Sequence, residues 1–185
     1  FHEGNRAFDS GEYARATLWY KRALESAETS EQRAKVKSNI GACFHLDGDL
    51  KRALDWMVAA TEEGLEYMSP NSLNNISGLC ISLGEFERAL TYSTLAEDRL
   101  LEAFKSGMEV SLFVRYHDLM LLGQMASQLE LNHPKEARET YERAHLEAFF
   151  EGVAAEFVHM AFLLAWEFDD PELIEMHANE FGAAL

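Results

Sequence analysis

GEFERAL, residues 84–90, decides the fold because the chain has already written the same phrase twice, as GEYARAT at 11–17 and GDLKRAL at 48–54. Each copy runs glycine, acid, bulky apolar residue, variable residue, arginine, alanine. Gly11 to Gly48 spans 37 residues and Gly48 to Gly84 spans 36. A near-constant period of this size marks a stack of supersecondary units, none of which can bury its apolar face alone.

Working outward from these anchors, apolar spacing of three and four residues predicts helices over 1–9, 11–27, 30–46, 48–64, 69–83 and 85–105, and then over 109–131, 133–150, 152–168 and 170–181. The apolar stripe repeats as Tyr13, Ala16, Tyr20 and Ala23, as Leu50, Ala53, Met57 and Ala60, and as Phe86, Ala89 and Ala96. Pro70, Pro134 and Pro171 each fall at or near a predicted helix start, where a missing N–H is tolerated. No run of alternating β-branched residues occurs, so the class is all-α. After Gly107 the period stretches. The next echo of the phrase is NHPKEA at 132, with Asn132 in the place of the turn glycine, so helix 109–131 must be longer than those before it. Ten helices in antiparallel pairs make about five repeats, at 1–27, 30–64, 69–105, 109–150 and 152–182. With no linker or low-complexity stretch between them, they read as one domain.

The formal charge is −16 and is unevenly spread: residues 1–92 hold 10 basic and 14 acidic side chains, residues 93–185 hold 6 and 18. No Lys or Arg follows Arg143. Such a field repels phosphates, which argues against nucleic acid and anionic membranes as partners. Cys43 and Cys80 both fall inside apolar helical patterns with no metal-type spacing around them, as buried thiols in a reducing, cytoplasmic setting would. VAAEFVHMAFLLAWEF, 153–168, is the most apolar segment, but it contains Glu156 and His159 and is too short to span a bilayer, so it reads as a buried helix. The chain opens on Phe1, already inside a helical pattern, which reads as a piece of something longer.

The small-residue pattern resembles the tetratricopeptide repeat family. In the first repeat Gly4, Ala7, Phe8, Gly11, Tyr13, Ala16, Tyr20 and Ala23 fall where that motif wants them. Gly41, Phe44, Gly48, Leu50, Ala53, Met57 and Ala60 follow in the second, and Ser77, Cys80, Gly84, Phe86, Ala89 and Ala96 in the third. The period exceeds the roughly 34 residues of the common form, which is more like the kinesin-light-chain and bacterial peptide-sensing branches. The resemblance implies a right-handed α-α superhelix and a protein-interaction module. The first helix of each pair would line a concave groove for an extended or helical peptide.

By the same resemblance Asn5, Asn39 and Asn75 take aligned places on the groove side of those first helices, where a carboxamide can both donate to and accept from a peptide unit. Asn is not a favoured helix residue, so three aligned copies point to binding. Lys35, Ser38, Asn71 and Arg115 are the neighbours expected to add specificity. A clamp for a C-terminal dicarboxylate is not expected, because Phe1, Asn71 and Asn75 stand where cations would be needed. Trp19, Trp56 and Tyr92, equivalent in the three second helices, are expected to pack between repeats.

Two other readings stay open. One is a self-association module, or a sensor arm whose acidic second half packs on another domain. The other is a carboxylate-bridged di-iron bundle, suggested by Glu142/His145 and Glu156/His159. The latter also needs glutamates from two further helices around one interior, and Glu142 is expected to face outward. With no phosphate loop and no nucleophile motif, neither enzyme chemistry nor a cofactor is expected.

Overall fold

The computed structural model describes residues 1–143, the side chain of Arg115 excepted. Every regular element among the described residues is a helix: α1 (His2–Asp9), α2 (Tyr13–Glu25), α3 (Ser30–Leu46), α4 (Leu50–Thr61), a short 3-10 turn (Leu65–Tyr67), α5 (Pro70–Ser82), α6 (Phe86–Lys105), α7 (Val110–Glu130) and α8 (Pro134–Glu142). The all-α class and the lengthened 21-residue α7 agree with the sequence reading. The rest of the helix predicted over 133–150, and those over 152–168 and 170–181, lie outside the described residues. The helices cluster into two compact units, Phe1–Gly84 and Glu85–Leu185. The boundary falls at the turn of the third repeat.

The repeated phrase is a turn followed by a helix start. At the end of α1 the Glu12 N–H donates to the Ala7 carbonyl and the Gly11 N–H to the Phe8 carbonyl, both at 2.9 Å. The end of α3 repeats the pair, Asp49 to Phe44 at 2.9 Å and Gly48 to His45 at 3.0 Å. This double closure needs a left-handed residue just past the helix end. Gly11, Gly48 and Gly84 supply it at φ of 74°, 84° and 74°, and Asn132 supplies it after α7 at 60°. Asn is the side-chain-bearing residue best suited to that conformation, which is how the fourth repeat keeps the turn without glycine. Because glycine and acid are both used by the turn, α2 and α4 begin at Tyr13 and Leu50, two residues later than predicted. The acid and arginine of the phrase then pair across the first helical turn: Arg15 to Glu12 at 2.8 Å, Arg52 to Asp49 at 2.5 Å, and Arg88 to Glu85. The closing alanines, Ala16, Ala53 and Ala89, are fully buried.

In the first unit successive helices pack on one another from α1 through α5. Small residues allow the close crossings. A methyl on Gly41 would sit 2.4 Å from Met57 Cγ and 3.1 Å from the Ala53 carbonyl oxygen, so α3 approaches α4 almost backbone to side chain. Ile40, Cys43, Met57, Ala60, Leu73 and Ile76 are buried in the core of this unit. Thr29 caps α3 in a reciprocal box with Gln32. Glu63, just past α4, accepts from Arg33 at 2.7 Å and Lys37 at 2.6 Å, which ties the end of α4 back to α3. In the second unit Ala96 and Leu100 of α6, Met120, Leu121 and Met125 of α7, and Ala137 of α8 form the core.

Candidate functional site

Two of the predicted asparagines meet. Asn5 on α1 and Asn39 on α3 line one open cavity of about 250 Å³ together with Phe8, Asp9 and Tyr20. Tyr20 is buried on α2, and its hydroxyl donates to Asn5 Oδ1 at 2.8 Å. Burial pushes the Tyr20 phenol up to about 12, so it stays a donor, and the nearby Asp9 charge adds to the shift. That bond orients the Asn5 carboxamide and leaves its NH2 as a donor. Asn39 is half-buried, and its side chain makes no hydrogen bond among the described residues. Gly4, one residue before Asn5, holds the arrangement together, since a methyl there would lie 2.6 Å from the Tyr20 ring.

The other predicted residues lie elsewhere. Lys35 is exposed on α3, its Nζ 5.5 Å from the Phe1 ring centroid, and lines a second cavity of about 380 Å³ with Phe1, Ala23, Ala27, Gln32 and Val36. Ser38 is half-buried with its Oγ 3.9 Å from Met68 Sδ. Asn71 is exposed in the first turn of α5, and Asn75, one turn on, is half-buried. Arg115 belongs to α7, in the second unit. Sequence reasoning did not single out Phe8, Asp9 or Tyr20 as site residues. The signal for the first two was available, because they stand three and four residues after Asn5 and so share its face of α1.

The second unit holds a polar cluster that the sequence reading did not anticipate. Glu97 on α6 is buried, its Oε1 3.1 Å from His117 Nε2 on α7 and its Oε2 accepting from Gln124 Nε2 at 2.7 Å. Arg143, just past α8, donates to Glu97 Oε1 at 3.0 Å and to Gln124 Oε1 at 2.8 Å. The hydrogen bond from His117, then those from Gln124 and the Arg143 charge, hold the Glu97 carboxyl at about 2 against the cost of burial. Both of its oxygens are engaged by side chains of the same unit, which makes the cluster a fastening of three helices rather than an exposed reagent.

The aromatic positions depart from their expected role as buried packing. Trp19, Trp56 and Tyr92 are each half-buried. Arg22 stands over Trp19 at 4.9 Å, and Lys21 of α2 over Trp56 of α4 at 5.8 Å, so one of them does bridge repeats, through a cation on its face. Cys43 and Cys80 are both buried and form no disulfide among the described residues. Glu142 is exposed; His145, Glu156 and His159 of the di-iron reading lie outside the described residues. No helix among the described residues is long and apolar enough to cross a membrane.

No protein-family model matches the chain, and no curated protein matches it either. Among solved structures it is similar to the C-terminal part of a TPR repeat-containing protein from Cytophaga hutchinsonii. The identity is 9%, the TM-score 0.45, and the match covers 98% of this chain and 93% of that one. A likeness that slight carries neither family nor function. What stands on this chain's own residues is, among those described, a helical fold built of tandem helix–turn–helix repeats.

Proposed function

We propose that the chain is a tetratricopeptide-type interaction module that docks an extended segment of a peptide or protein partner on the face carrying Asn5 and Asn39. The observation that carries this reading is the shared cavity of those two residues, which come from the first helices of consecutive repeats. Asn5, oriented by a buried tyrosine with its NH2 left over, and Asn39, whose carboxamide the fold does not use, suit a peptide backbone, whose N–H and C=O need one acceptor and one donor per unit. Asn71 and Asn75 on α5 would extend the ladder, with Lys35 and Ser38 supplying side-chain selectivity. Docking rather than catalysis, in the cytoplasm, completes the proposal.

A screen of arrayed peptides against the wild type and an Asn39→Ala/Asn75→Ala variant tests it, with helicity checked by circular dichroism. Peptides retained by the wild type and lost by the folded variant are expected. Equal retention by both would remove the asparagines from the account.

Self-association is the second reading, favoured by one observation. Phe104, Val110 and Leu112 are 37%, 64% and 40% exposed around the turn between α6 and α7. Sedimentation over a range of concentrations decides it: a rising mass abolished by Leu112→Glu supports association through that turn, and a constant mass rules it out.

A further inference from the structure

The cavity that joins Asn5 to Asn39 has a chemical preference of its own. Its walls are Asn5, Phe8, Asp9, Tyr20 and Asn39, of which only Asp9 is charged. Asp9 is the last residue of α1, exposed, and makes no ion pair among the described residues. The neighbouring cation that could neutralise it, Arg6, is turned to Glu3 at 3.5 Å. The end of a helix carries the negative pole of the backbone dipoles, which adds to the carboxylate in favouring a positive guest. Phe8 contributes an aromatic wall beside the acid, and a flat or compact cation is attracted to such a face. The volume of about 250 Å³ has room for one long side chain but not for a folded domain edge. Asn39 brings an acceptor oxygen that the fold does not use.

Resting on the peptide-docking reading above, we propose that this cavity selects a basic side chain, Arg or Lys, of the docked segment, with Asp9 as the residue that decides the selection. Asn39 holds the peptide unit that bears the side chain, Phe8 flanks its stem, and the cationic end lies against the Asp9 carboxylate. The partner is therefore a protein segment with a basic residue at a fixed place, drawn in by the net charge of −16. Acidic segments are turned away by the same residue.

The test selects binders from a random peptide library with four proteins: wild type, Asp9→Asn, Asp9→Lys and Asn39→Ala. Asp9 is exposed and its substitutions leave the core untouched, so all four are expected to fold, as circular dichroism would show. The expected result is an excess of Arg and Lys at one position among wild-type binders. Asp9→Asn loses that excess while still retaining peptides, and Asp9→Lys replaces it with Asp and Glu. Replacing the selected Arg by citrulline, its neutral isostere, is expected to weaken wild-type binding about fivefold, the effect of one partly exposed charge pair, and to leave Asp9→Asn unchanged. Wild-type binders with no basic excess, or the same excess in Asp9→Asn, would overturn the inference while leaving peptide docking intact. No retained peptides from the wild type at all would sink both together.

Discussion

At the scale of the residue, the glycines and the asparagines carry the account. Gly41 is present because nothing larger fits between α3 and α4, with Met57 Cγ and the Ala53 carbonyl oxygen already in the way. Gly41→Ala is expected to lose about 1–3 kcal/mol in urea unfolding, from overpacking, and Gly41→Val more. A substitution without effect would mean that the crossing is looser than described. Asn5 and Asn39 were legible from the sequence, because aligning the repeats superposes them and helices do not otherwise favour the residue. Asp9 was not. It sits just before the phrase as an ordinary helix-end acid, and only the stacking of α1 on α2 and α2 on α3 turns it into the wall of a cavity. Tyr20 was read correctly as core by its stripe, yet the same side chain sends its hydroxyl to Asn5. A periodicity argument assigns a residue to one face and cannot show that its two ends serve two purposes.

At the scale of the element, the turns and helix starts were nearly all readable, since each is fixed by neighbours within about six residues. The Schellman closures, the acid–arginine pairs and the Thr29 cap are all local. The Glu97 cluster was not readable, for the opposite reason: its partners lie 20, 27 and 46 residues away in sequence. A lone glutamate in an amphipathic helix looks like a surface residue until the helices around it are placed. Its consequence is measurable. The Glu97 carboxyl is lowered from 4.5 to about 2 by folding, so its contribution is fully present above pH 4.5 and is lost as pH falls towards 2. That depression links to roughly 3 kcal/mol of stability, an order-of-magnitude figure for a buried group. Urea unfolding of wild type and Glu97→Gln across this range is expected to show a difference that is largest at neutral pH and shrinks towards pH 2. A difference that does not change with pH would mean that Glu97 is not ionised in the folded protein. Arg143→Ala is expected to narrow the difference, because it removes one of the charges that hold the carboxylate.

At the scale of the whole molecule, the charge of −16 sets what approaches it. A basic segment is drawn in from a distance and an acidic one is slowed, so association with a basic peptide is expected to fall with ionic strength. Raising salt from about 0.1 M to about 1 M shortens the screening length from about 10 Å to about 3 Å. Wild-type affinity for a selected basic peptide should drop several-fold over that range, and affinity for its citrulline counterpart should change less. An affinity indifferent to salt would place the recognition in shape and backbone contacts alone. The helical class and the anomalous long helix followed from one phrase and its spacing, because a repeat array is specified locally and restated. The partner is not specified in that way, since recognition depends on which side chains the stacked repeats bring to one wall.

The measurement that tests the central claim most directly is a nuclear magnetic resonance titration of the isotope-labelled chain with a peptide retained by the wild type. Peptide docking on the asparagine face predicts that the shifted signals gather on α1 and α3, with the Asn5 and Asn39 side-chain amides among the most affected. It also predicts that Asn39→Ala abolishes saturation while the rest of the spectrum stays that of a folded protein. Shifts confined to α6, α7 and the residues after them, with the Asn5 and Asn39 amides unmoved, would contradict it.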